Sequence, residues 1–254
     1  MTAEEKKPLV RFLDLAGDYL RDGYAVNRDY AELVDPAGTV PPQEDFSSLP
    51  LAYRVDENGD TGGTAGETLE DLARTIGSCQ ACGLAATRKR AVPGEGADEP
   101  LVMVIGEGPG VDEDASGRPF VGKAGALLDR MLASIDLSRD KNCYIANMVK
   151  CRPPGNRDPE YGEIAACFPY LEQQISLLWP KLILCAGRVA AQNLLKTNQG
   201  INALRGKFYE FKIRDAVIPV LCTYHPSAIL RDESLKRPAW EDLKLLKARI
   251  EERN

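Results

Sequence analysis

Apolar and polar positions along the chain fall into three regimes. Over residues 4–22, Leu9, Leu13, Ala16 and Leu20 recur at helical spacing with Phe12, Leu15 and Tyr19 beside them, which predicts an amphipathic helix. Residues 35–67 turn to Pro, Gly, Ser, Thr and acids, a composition with too little apolar surface to offset its ordering entropy. From residue 68 onward, short apolar runs alternate with stretches of helical period. Strands are expected at 101–106, 142–149, 181–186 and 217–223, with a more exposed strand at 208–213. Helices are expected at about 123–135, 158–178, 188–195 and 238–252. The chain thus divides into an N-terminal helix segment (1–34), an acidic linker (35–67) and one domain (68–254).

Strands that are apolar throughout need cover on both faces, and strand–helix alternation favours parallel order. The expected fold class is α/β: a three-layer α/β/α sandwich with a mostly parallel central sheet, plus the N-terminal helical and linker extension. Ligands of such sheets bind beyond the carboxyl ends of the strands. The segments that follow the strands, GEGPGVDEDASGRPFVG, KCRPPGNRDP and YHPSAILR, hold most of the domain's glycines, prolines and unusual polar residues. Functional residues are expected there.

Composition narrows the chemistry. With 44% hydrophobic and 28% charged residues the 254-residue chain is of ordinary globular make-up. It has no apolar run near the roughly 18 residues needed to cross a bilayer and no apolar signal core at its start, so no membrane contact and a cytoplasmic location are expected. Its one histidine, His225, excludes multi-histidine zinc and iron centres. The net charge of −6 is uneven. Residues 1–70 hold 6 Lys and Arg against 15 Asp and Glu, whereas the remainder holds 26 against 23 and can face a polyanion.

Seven cysteines in a cytosolic chain favour metal ligation, core packing or redox roles over disulfides. Cys79 and Cys82 form a C-x2-C, and with Cys151 and Cys167 they make a four-thiolate set suited to zinc or an iron–sulfur cluster. Cys143, Cys185 and Cys222 fall inside apolar strands and read as core thiols. The Gly106-Glu107-Gly108-Pro109-Gly110 turn lets backbone amides approach a ligand, but it is neither a P-loop nor a dinucleotide fingerprint.

Taken in order, that turn, Glu113-Asp114, Gly117 to Gly122 (GRPFVG), Asn147, the KCRPPGNR run and the His225-Pro226-Ser227 turn, with the four cysteines, resemble the family 4 uracil-DNA glycosylases over about residues 70–254. The resemblance implies a base-flipping DNA repair enzyme that hydrolyses the N-glycosidic bond of deoxyuridine in single- or double-stranded DNA. It implies a 4Fe-4S cluster on Cys79, Cys82, Cys151 and Cys167. Uracil would be held by Gly108, Phe120, Asn147 and His225, with Phe120 stacking on the base and Asn147 reading its edge. Catalysis would fall to Glu107, Glu113 and His225, with Asp114 structural. Ser227, Ala228, Ile229, Leu230 and Arg231 would form a loop that enters the minor groove, with Ile229 in its apolar wedge. Arg152 and Arg157, with Lys150, Lys123 and Arg118, would supply charge for the phosphates. A monomer, nucleoid-associated, is implied, and the N-terminal helix would either dock a protein partner or pack back on the domain.

One departure matters. The family's turn usually reads Gly-Glu-Ala-Pro-Gly, and Gly108 replaces its Ala, which motivates an alternative of shifted base range, toward hypoxanthine or xanthine. A non-catalytic iron–sulfur DNA-binding or lesion-sensing module is the alternative from another class, and retention of Glu107, Phe120, Asn147 and His225 argues against it. Electron transfer is disfavoured because the cysteines are widely spread.

Overall fold

The computed structural model describes residues 68–214 and 216–252, so the expected N-terminal helix and linker lie outside the described residues. The domain opens with α1 (Leu69–Ser78), started by a capping box in which Thr68 and Asp71 each accept from the other's backbone amide. There follow β1 (Glu95–Gly96), β2 (Val102–Gly106), α2 (Val111–Ser116), α3 (Lys123–Ala133), β3 (Cys143–Asn147) and α4 (Tyr161–Leu178). Next come β4 (Leu182–Ala186), α5 (Arg188–Leu195), α6 (Ile201–Leu204), β5 (Phe208–Ile213), β6 (Ala216–Thr223), α7 (Pro226–Arg231) and α8 (Lys236–Glu251).

The sheet order is β1-β3-β2-β4-β6-β5. Its four central strands are parallel, and β1 and β5 add antiparallel edges. Alternation along each strand sorts the core into two layers. Met103 and Ile105 face one side, with Leu171 and Ile175 of α4 and Val189 of α5. Val102 and Val104 face the other, with Leu127 and Met131 of α3 and Trp240 and Leu243 of α8. The domain is therefore the three-layer α/β/α sandwich expected from the pattern. Because α3 leads from β2 to β3 over one face and α4 returns to β4 over the other, strand order reverses between β2 and β4, where such sheets open a crevice.

The pattern does not predict α1, β1, α2 or α6, and it misreads one segment. Residues 227–231, expected as a loop, belong to α7, with Pro226 at its first position and His225 as its N-cap. Ile229 is fully buried against the core shared with α3 and α8, so it is not the exposed wedge expected of it. No helix among the described residues is long and apolar enough to cross a membrane.

Candidate active site

Four adjacent strands end at one edge, and each delivers a group there. Gly106 closes β2 and stands in register with Asn147, the last residue of β3. Gly187 follows β4, and His225 follows β6 by two residues. A Cβ on Gly106 would stand 2.4 Å from Asn147 Oδ1 and 2.6 Å from Phe120 Cζ, so only glycine lets the amide and the ring converge on this strand end. Asn147 is 1% exposed and its Oδ1 has no hydrogen-bond partner. An orphaned buried acceptor costs about 1–3 kcal/mol, relieved when a ligand donor reaches it. The Phe120 ring lies 5.6 Å from the His225 ring, centroid to centroid, tilted by 32°.

Phe120 sits at φ 52, an uncommon conformation for a bulky residue, and two side chains hold it there. From one side Glu113 accepts from the amides of Val121 (2.9 Å) and Gly122 (3.0 Å) through Oε1, and from Gly110 (3.0 Å) through Oε2. From the other, Arg139 donates to the carbonyls of Pro119 (2.9 Å) and Phe120 (3.0 Å) while pairing with Asp129 and Glu95. The expected pair of catalytic carboxylates therefore separates. Glu113 is saturated by three backbone amides and clamps the first loop to the Phe120 loop, which leaves Glu107 as the carboxylate free to react. Asp114, expected to be structural, is buried and accepts from the Lys89 amide at 2.8 Å.

The surroundings of Glu107 and His225 push their protonation in opposite directions. Burial, reinforced by nearby Asp158 and opposed by Arg188 and Arg231, raises the Glu107 carboxyl to about 7. Burial, aided by Arg231 and opposed by Glu113, lowers the His225 imidazole to about 4. His225 is thus neutral at physiological pH. Its Nδ1 accepts from the Ser227 amide at 3.1 Å and lies 2.7 Å from the Ser227 hydroxyl, which fixes the proton on Nε2. Ser227, expected at a phosphate, is turned toward the imidazole instead.

Several expected phosphate contacts are committed elsewhere. Lys150 is fully buried and donates to the Asn147 carbonyl (2.9 Å) and Gln174 Oε1 (2.6 Å), so it braces β3 from below and cannot meet DNA. Arg157 is bidentate to Glu163 (2.8 and 2.6 Å) and Arg118 to Glu95 (2.6 and 2.7 Å). Arg152 binds the Asn156 side chain at 2.7 Å within its own loop, and Arg231 is exposed at the end of α7. Ala228 and Leu230 are half-buried on α7. Gly108 points its missing Cβ at Val149 Cγ2 (2.8 Å) and Pro153, toward the KCRPPG loop, not toward Phe120 or His225. Arg139, Glu95 and Gly187 are missed by sequence reasoning, because their partners lie far along the chain and carry no motif.

The four cysteines of the expected ligand set converge behind β3. Each of Cys151 and Cys167 senses other members of the set, Cys151 through Cys82 and Cys79 and Cys167 through Cys151 and Cys82, while Tyr170 bonds Cys79. Donors point at three of the sulfurs: Arg88 Nη1 at Cys151 (3.1 Å), the Lys150 amide at Cys167 (3.2 Å) and the Ala81 amide at Cys79 (3.4 Å). Burial raises the Cys167 thiol to about 11 and Cys151 in the same direction. Thiols gathered in this way ionise when a cationic centre joins them, and N–H···S donors suit thiolates. Among the described residues no group of three or more His, Cys, Asp or Glu closes around a single metal ion. Cys185 and Cys222 are paired in register between β4 and β6, and Cys143 is buried in β3, so all three are core thiols.

Fold and site together define an α/β domain with a compact polar and aromatic ligand site across its parallel strand ends. A family model described as "Uracil DNA glycosylase superfamily" matches residues 93–244. A type-4 uracil-DNA glycosylase of Sulfurisphaera tokodaii is 43% identical over 186 residues, 71% of this chain and 84% of the relative. The type-4 enzyme of Archaeoglobus fulgidus is 43% identical over 182 residues (70% and 91%), and that of Thermotoga maritima 38% over 190 residues (74% and 97%). The chain belongs to the uracil DNA glycosylase superfamily.

Proposed function

We propose that this chain excises uracil from DNA by hydrolysing the N-glycosidic bond of deoxyuridine, releasing the free base and leaving an abasic site for repair. The observation that carries this reading is the buried, unpartnered Asn147 Oδ1 beside the Phe120 ring. A flipped uracil stacks on Phe120 and gives its N3–H to Asn147, whereas cytosine presents a bare acceptor at N3 and meets repulsion there. As the glycosidic bond lengthens, negative charge gathers on the base. The neutral imidazole of His225 donates from Nε2 to the uracil O2, a preorganised dipole of the kind whose removal costs about 10²–10³-fold in rate. Glu107, once ionised, faces the developing sugar cation and orients the attacking water.

Arg231 supplies charge for a phosphate at the site's rim, and Arg152 extends it along the KCRPPG loop. The substrate is uracil-bearing DNA, the working unit a monomer, and a nucleoid-associated cytoplasmic location follows from the reaction. Cys79, Cys82, Cys151 and Cys167 would hold a 4Fe-4S cluster, whose four sulfur ligands spread wider than those of one ion. Bound there it supplies a cross-link between the approach to β1 and the KCRPPG loop, and no step of bond cleavage runs through it.

Single-turnover excision from a uracil oligonucleotide tests the assignment. Asn147→Ala and His225→Ala should each lower the rate at least 100-fold with the fold retained. Wild-type rates in both would contradict it.

A further inference from the structure

The three residues that end β6 and carry His225 are gripped one by one. The Thr223 hydroxyl donates to Asp242 Oδ2 at 2.7 Å, and the Thr223 carbonyl accepts from the Gly187 amide at 2.9 Å. Tyr224 is held at both ends: its hydroxyl donates to Asn202 Oδ1 at 2.8 Å, and the Arg205 guanidinium lies 5.3 Å from its ring centre. His225 backs onto Gly187, which sits at φ +103 and where a Cβ would stand 2.9 Å from the His225 Cβ. Asp242, on α8, is completely buried and is the hub: besides Thr223 it accepts from Arg205 Nε (3.0 Å) and Nη2 (2.8 Å). Arg205 also donates to the Pro238 carbonyl, which ties the end of α6 to the start of α8.

We infer that the Asp242–Arg205 pair, acting through Thr223 and Tyr224, is the positioning device that aims the His225 imidazole at the leaving base. The inference rests on the reading of His225 as the donor to that base. A buried ion pair is often no more stabilising than an apolar replacement, so its worth here lies in geometry. It spends four hydrogen bonds on the two residues directly before the imidazole and leaves His225 itself only its own Ser227. A donor that must meet charge only in the transition state loses effect steeply when displaced, by as much as about 10²-fold for 1 Å. Asp242, Arg205 and Asn202 touch no reacting atom and are positioning residues.

The lone histidine makes the test direct, because in the full chain every imidazole C–H resonance belongs to His225. Thr223→Val, Thr223→Ser, Asp242→Asn and His225→Ala are compared by single-turnover rate, by KM and by the imidazole resonance, below the melting temperature of each. Thr223→Val keeps the Asp242–Arg205 pair and carries the test if Asp242→Asn does not fold. Expected are a rate loss of about tenfold or more in Thr223→Val with KM within twofold, a displaced or broadened imidazole signal, and recovery of both in Thr223→Ser. A merely stabilising role would lower the melting temperature and leave rate and resonance of the folded enzyme unchanged. That result, with His225→Ala inactive, overturns the inference alone. Wild-type turnover in His225→Ala overturns the reading beneath it.

Discussion

Replacing Glu107 by Gln should make the protein more stable and less active, with a pH dependence that identifies the cause. In the folded chain the carboxyl is raised from its ordinary 4.5 to about 7, chiefly by burial. Below pH 4.5 it is protonated folded or unfolded and costs nothing. Between 4.5 and 7 the unfolded chain releases its proton while the folded chain keeps it, so stability falls as pH rises. Above 7 the cost is complete. At 1.36 kcal/mol per unit the gap amounts to about 3 kcal/mol. Gln carries no charge in either state and escapes it. Scanning calorimetry of both proteins from pH 5 to 8 should therefore give curves that nearly coincide at pH 5 and separate toward pH 8, where Glu107→Gln melts roughly 5–10 °C higher. A difference of the same size at every pH would mean packing, not charge, and would refute the reasoning. The same ionisation governs turnover: single-turnover rate should climb about tenfold per pH unit below 7 and then level, since His225 is already neutral above about 4.

Three further outcomes follow from the site's construction. Glu113→Gln withdraws one acceptor from the clamp on Val121, Gly122 and Gly110; uracil-DNA affinity should drop about tenfold, as read by fluorescence titration, with the pH–rate midpoint unmoved. Gly108→Ala forces a Cβ to within 2.8 Å of Val149 Cγ2; it should cost about 1–3 kcal/mol in denaturant unfolding, recovered in part by adding Val149→Ala, and leave base preference as it was. Cys167→Ala should lose iron by colorimetric assay and lower both the melting temperature and DNA affinity; full stability and binding without iron would refute a structural cluster.

Strand placement was legible because each central strand is buried on both faces and therefore spelled as an unbroken apolar run, as in VMVIG and LILCA. The site's position followed, since those runs end in the Gly- and Pro-rich segments. Elements shorter than the hydrophobic period were not legible: β1 is two residues long, and α1 rests on Leu72 and Ile76 with a capping box. The helix α7 was readable in part, from a Pro at its first position, but the polar HPS start masked it. Cations were the least legible. Lys150, Arg118 and Arg157 look alike as letters, yet their roles depend on Gln174, Glu95 and Glu163, which the fold brings to them. For the same reason the sequence left Glu107 and Glu113 equivalent, and three backbone amides told them apart.

Base excision itself is the most direct measurement. Purified full-length protein is incubated with single- and double-stranded oligonucleotides that carry one uracil, cytosine, thymine, hypoxanthine or xanthine, and abasic sites are then cleaved with alkali. The account predicts strand cleavage at uracil in both forms and none at cytosine, because Asn147 Oδ1 accepts an N3–H that cytosine lacks. Cleavage at hypoxanthine or xanthine in preference to uracil, or no cleavage at any base by iron-loaded protein, would contradict it.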